Sequence, residues 1–281
     1  MLDVSSRSPL LDLFRRGEVP REVRLLAARG AVAPRAHEQL ALLVLLHDDP
    51  DPEVRAVARS TIDALPEAPL QAFLARGDVS TGVRDFFVAR GVSASGVAAS
   101  SDAPLVDDDS EPLAEAGVDD GEAGAGGEHE GEAGAGGQAG EQAGARRQPI
   151  SMLPIIERVK LAMRGTREQR TVLIRDPSRL VAAAVLSSPK LTETDVEGFA
   201  RMATVTDEVL RTIGTTRTWT RNYGVVTALT RNPKTPPAIS MPLVSRLNER
   251  DLKLLSVDRN VPEGVRVAAK KLVASAQSRR K

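Results

Sequence analysis

Two matching breaks in the chain constrain its fold most. Ser188-Pro189-Lys190-Leu191-Thr192 is followed 44 residues later by Asn232-Pro233-Lys234-Thr235-Pro236. In each break a proline ends one helix, because the residue before it is pushed out of the helical region. In each, a threonine can cap the next helix. Thr192 has Asp195 three residues on, and Thr235 precedes Pro236 at a first helical position. Three further segments align at a similar spacing. Ile174-Arg175-Asp176-Pro177 leads to Val181-Ala182-Ala183-Ala184, Ile213-Gly214 to Val225-Val226-Thr227-Ala228, and Leu255-Ser256-Val257-Asp258 to Val265-Arg266-Val267-Ala268-Ala269. Asn260-Val261-Pro262-Glu263 repeats the helix-start chemistry. A period near 40 with two helices per unit predicts an α-solenoid across residues 149–277.

The first 92 residues read as a second set of short helices. Ser8-Pro9-Leu10-Leu11-Asp12 has a Ser cap, proline at the first helical position and an early carboxylate. Pro20 opens another helix, which Gly30 can stop in the left-handed conformation. Leu40-Ala41-Leu42-Leu43-Val44-Leu45-Leu46 is too short to span a membrane and predicts a buried central helix. Asp51 caps a further helix with Pro52 in its first turn, and Val54, Val57 and Ala58 start its apolar stripe. Helices around 70–75 and 81–90 close the block at Gly91. Only 2% of the chain is aromatic, so the core must be Leu, Val, Ala and Ile. That composition suits closely packed helices better than strands.

Residues 93–148 are a different material. Gly, Ala, Glu, Asp and Ser dominate, and Gly-Glu-Ala-Gly-Ala-Gly-Gly occurs at 121–127 and again at 131–137. So few large apolar groups cannot offset the entropy of ordering, and the segment is expected to be a disordered acidic linker. The formal charge of zero conceals a strong asymmetry. Residues 101–145 hold 13 Asp and Glu and no Lys or Arg, whereas residues 146–281 hold 26 Lys and Arg against 12 Asp and Glu. A basic tail, Arg279-Arg280-Lys281, ends the chain. Such asymmetry points to an electrostatic partner, either another molecule or the linker itself.

Asp51-Pro52-Glu53-Val54-Arg55-Ala56-Val57-Ala58, and Asp258 with Val265-Arg266-Val267-Ala268-Ala269, resemble the Asp…Val-Arg…Ala signature of HEAT-like repeats. Asn232-Pro233-Lys234-Thr235-Pro236 with Leu243 and Leu247 resembles bacterial leucine-rich variant repeats. The middle unit departs from the pattern, since Thr215-Thr216-Arg217-Thr218 stands where Asp and Pro would be expected. The reading is therefore all-α: two small HEAT-like α-solenoid modules, 1–92 and 149–277, separated by the linker 93–148 and followed by the tail 278–281. The resemblance implies an interaction role rather than an activity.

The candidate partner-binding surface is Arg217, Trp219, Arg221, Tyr223, Arg231 and Lys234, which includes the only Trp and the only Tyr in the chain. If 217–230 is one helix, Trp219 and Tyr223 lie at i, i+4 on one face and Arg217 and Arg221 on an adjacent one. That face could hold a partner's carboxylates or stack a base. Alternatively, Trp219 and Tyr223 fill an aliphatic core. There is no Cys, so thiolate catalysis, disulfides and thiolate metal sites are absent. His37, His47 and His129 have no metal-ligand spacing, and no nucleophile elbow or phosphate loop is present. No catalytic, cofactor or metal residues are expected. The chain reads as a cytoplasmic, non-membrane, bacterial scaffold or adaptor for acidic protein partners, modulated by its acidic linker. The alternative is a nucleic-acid-associated protein using residues 149–281.

Overall fold

A computed structural model describes residues 8–106 and 149–278. Among the described residues there are fifteen α-helices and no strand. The N-terminal part holds α1 (Pro9–Arg15), α2 (Arg21–Ala28), α3 (Ala36–Leu46), α4 (Pro52–Asp63), α5 (Glu67–Leu74) and α6 (Thr81–Val88). After a 3₁₀ turn at Ile150–Met152 come α7 (Ile155–Arg164), α8 (Arg167–Leu173), α9 (Arg179–Ser187), α10 (Glu193–Arg201) and α11 (Asp207–Thr215). A second 3₁₀ turn, Trp219–Arg221, precedes α12 (Tyr223–Arg231), α13 (Pro237–Val244), α14 (Glu249–Val257) and α15 (Glu263–Ser278).

The local chemistry explains the boundaries. Asp51 accepts from the N–H groups of Glu53 and Val54 and starts α4. Thr192 and Asp195 form a reciprocal capping box at α10. Gly30 and Gly91 adopt positive φ where the chain turns away from α2 and α6. Ser8 and Thr235 depart from expectation. Neither caps its helix, because Pro236 takes the cap position of α13 and the Ser8 hydroxyl is used elsewhere. The Leu-rich segment is the interior of α3, buried along almost its whole length.

The period also needs correction. The 44 residues between Ser188 and Asn232 span three helices, α10, α11 and α12, not two. The helices are only about nine residues long, so a pair needs far less chain than 40 residues. The pairs α8–α9, α10–α11, α12–α13 and α14–α15 begin at Arg167, Glu193, Tyr223 and Glu249, spacings of 26, 30 and 26. Helices two apart in the chain are neighbours: α7 with α9, α9 with α11, α11 with α13, and α13 with α15, while α10 packs on α12. The longer spacing is where Thr216–Asn222 and the second 3₁₀ turn are inserted.

One turn recurs between helices. Asp49, Asp176, Asn232 and Asp258 each accept from the N–H two residues on, at 2.9, 2.8, 2.9 and 2.9 Å, and the Ser188 hydroxyl does so at 3.4 Å. Four of these side chains also tie the turn to an earlier helix. Arg24 donates to Asp49 and Arg158 to Asp176, Ser188 donates to the Met163 carbonyl, and Asn232 donates to those of Ala200 and Met202. Helix packing also fixes Gly214. A Cβ there would lie 2.2 Å from Ile239 Cγ2 on α13, whereas the nearest atoms to one on Gly224 belong to the movable carboxylate of Glu197. Gly214→Ala is therefore expected to cost about 1–3 kcal/mol of stability, read as a lower urea midpoint. Gly224→Ala should cost less, since Glu197 can swing aside.

The expectation of two modules joined only by a tether does not hold. α1 packs on α9 and α3, α2 packs on α7, and the buried residues of both parts form one cluster. The seam is polar as well as apolar. The Ser8 hydroxyl donates to Ser187 Oγ at 2.9 Å, and the Leu10 N–H donates to the same oxygen. Arg35 donates to both Glu38 and the Ser187 carbonyl. Burial raises the Glu38 carboxyl above the ordinary range, with Arg35 opposing it. Residues 93–106, expected to open the linker, lie on the N-terminal helices. The Ala99 N–H donates to Ala72, Arg76 to the Ser101 carbonyl, and Gln39 bonds Leu105 and Val106. The reason is specific pairing that composition conceals. The expected disorder of 107–148 and the basic tail 279–281 lie outside the described residues.

Candidate partner-binding surface

The six residues singled out by sequence do not share one face. Asn222 adopts extended backbone (φ −71°, ψ 123°) and caps α12 by accepting from the Gly224 N–H. It interrupts the helix assumed for 217–230, so Trp219 and Tyr223 are not successive members of one stripe. Trp219 lies in the 3₁₀ turn, half-buried against the core. Tyr223 is the first residue of α12 and 42% exposed. Its hydroxyl donates to Asp251 at 2.6 Å and accepts from the Asn248 N–H at 3.0 Å. Tyr223 is a structural strut between α12 and the start of α14.

The cations also separate. Arg231 pairs with Asp251 at 2.8 Å. Lys234 lies beyond the other end of α12 and leans on the Val205 carbonyl at 3.5 Å. The length of α12 puts Arg221 and Lys234 more than about 12 Å apart along the axis. Arg217 and Arg221 remain, both exposed and with no carboxylate partner among the described residues.

Their neighbours are cations that the sequence reading did not select. α10, α12 and α14 begin at one edge of the helix rows, and α9, α11 and α13 end there. Hydrogen bonds join the successive loops along it. Asn222 donates to Glu193, and Arg246 donates to the Thr220 carbonyl at 2.6 Å. Lys190 sits in the first loop, its Nζ donating to the Arg164 carbonyl at 2.7 Å. Arg217 and Arg221 occupy the second loop, and Arg246 and Arg250 the third and its following turn. All five are exposed, and none has a carboxylate partner among the described residues. Three helix N-termini at the same edge add partial positive charge.

Asp195 and Glu249 at this edge are paired with cations, while Glu193 accepts from Asn222 and Glu168 at the start of α8 is exposed. Asp195 pairs with Arg167 at 2.5 Å and lies near Arg170. Burial pulls its carboxyl up, but hydrogen bonds from Thr192 and the Arg167 charge outweigh that and leave it below the ordinary range. Glu249 pairs with Lys253. The edge therefore presents a net positive track. The signal for it was present in sequence as cations in alternate loops. Recognising it required knowing which loops share an edge, and the three-helix period obscured that.

Among the described residues, no group of three or more His, Asp or Glu is arranged to hold a metal. His37 Nδ1 lies 2.8 Å from Asp102, and His47 contacts Asp48 and Arg90. His129 is outside the described residues. No helix among them is long and apolar enough to cross a membrane. Comparison of the chain with protein-family profiles, with curated proteins and with solved structures finds no match.

Proposed function

We propose that this chain is a non-catalytic helical scaffold or adaptor that binds acidic protein partners through the basic edge of its C-terminal helices. The observation that carries this reading is the row Lys190, Arg217, Arg221, Arg246 and Arg250 on three adjoining loops, with no carboxylate partner among the described residues. Arginine forks match carboxylates bidentately, which favours such partners. Regular helix pairs support the kinship with HEAT-like and leucine-rich variant solenoids, and a cytoplasmic role fits the absence of cysteine. A second reading, phosphate binding in nucleic acid, is favoured by the helix N-termini at the same edge.

Affinity capture on the immobilised full chain, with and without nuclease, separates the two. Acidic proteins retained after nuclease, and released above about 0.3 M salt where surface charges are screened, are expected. A captured set that disappears with nuclease would transfer the function to nucleic acid.

A further inference from the structure

The described N-terminal chain ends beside the first turn of α3. Gln39, near the start of α3, holds the last residues before the gap. Its Oε1 accepts from Leu105 and Val106, and its Nε2 donates to the Val106 carbonyl at 2.9 Å. Arg35, the residue just before α3, donates to the carbonyl of Ser187 at the end of α9. The loop carrying Lys190 begins at the next residue, Ser188. Val106 is thus held beside the start of α3, the end of that helix from which Arg35 reaches the close of α9 and the loop carrying Lys190.

The sequence immediately beyond Val106 is complementary to the basic edge. Asp107–Asp120 holds seven carboxylates in 14 residues, with no Lys or Arg. Neighbouring helices lie about 8–10 Å apart, so the three loops extend over roughly 20 Å. Fourteen residues can reach about 46 Å when extended. The acidic stretch is therefore long enough to run from Val106 past all three loops.

We propose that the basic edge is the docking track for the chain's own segment Asp107–Asp120, in competition with acidic partners. This rests on reading the edge as acid-binding, and it adds that an external partner must displace an internal one. The competitor is tethered in the same chain, so it acts at an effective concentration far above that of free protein.

The absence of cysteine makes a direct test clean. A nitroxide on Gly121→Cys of the full chain would be the sole spin label. Selective loss of amide signals is expected at Lys190, Arg217, Arg221 and Arg250, relative to Lys234 and Arg259 in loops at the opposite edge. The loss should fade above about 0.3 M salt and in the Arg217→Glu/Arg221→Glu/Arg250→Glu variant. Equal loss at both edges, or loss indifferent to charge reversal, would overturn the proposal. An unchanged circular dichroism melt checks that the variant is folded. If it is not, the corresponding triple Gln variant takes its place.

A second arm uses a labelled 16-residue Asp/Glu peptide. Deleting residues 107–145 from the full chain should tighten its binding on the order of tenfold at low salt. Unchanged binding overturns the proposal. If neither chain binds the peptide while acidic partners are still captured, the self-docking inference falls and the scaffold reading survives. If partners are not captured but the spin-label pattern appears, the reverse holds.

Discussion

A chain cut to residues 149–281 should lose most of the stability of the full protein. The cut uncovers the face of α9 on which α1 rests and the face of α7 on which α2 rests. Leu10, Leu11, Leu13 and Phe14 of α1 are all buried, shared between α9 and α3. Losing even two such side chains from the core removes roughly 3–6 kcal/mol of burial. That is a large part of the about 5–15 kcal/mol typical of a whole fold. The fragment would also leave Ser187 without the Ser8 and Leu10 partners that it has at the seam. Urea unfolding followed by Trp219 fluorescence is the measurement. A midpoint equal to that of the full chain would show that the seam contributes nothing. Binding tests on the isolated C-terminal part would fail through misfolding rather than lack of affinity, so they belong on the full chain.

The second large effect is expected at Arg158. Its guanidinium pairs at 2.5 Å with Asp176, whose side chain is only 5% exposed. Arg158→Ala leaves that carboxylate buried with little besides the Ser178 N–H. Removing one partner of a buried pair costs about 3–5 kcal/mol. For a chain this size that is a fall in Tm on the order of 10 °C. Adding Asp176→Asn should recover part of the loss by removing the stranded charge. Arg231→Ala offers the contrast. That arginine is 41% exposed in its pair with Asp251, and its loss should cost less than about 1 kcal/mol. Similar losses in the two single variants, measured by calorimetry, would refute the distinction.

Local chemistry was legible in the sequence, and long-range assembly was not. The Asp51 cap, the Thr192–Asp195 capping box and the left-handed Gly30 depend on neighbours within a few residues. So does the burial of Leu40–Leu46. The Ser8 hydroxyl could serve a local cap or a distant partner, and only the packed chain decides for Ser187. The same competition misplaced Tyr223. Its ring suggested core, but Asp251 and the Asn248 N–H hold the hydroxyl at the surface. The matching breaks at Pro189 and Pro233 were visible, but the chain between them holds three short helices where two were expected. Charge asymmetry pointed to the C-terminal helices as a whole, not to one edge of them. Its distribution over alternate loops depends on helix direction, which composition cannot supply.

The seam has a further consequence during synthesis. Ser8 and Ser187 are 179 residues apart in the chain. At about 5–20 residues per second, α1 leaves the ribosome roughly 10–35 s before α9 exists to receive it. Leu10, Leu11 and Phe14 must spend that interval against α3 alone, or against a chaperone. The acidic stretch is translated within the same interval, ahead of every cation on the edge that it matches. The nascent chain thus waits with its apolar first helix uncovered while its most soluble segment is being made.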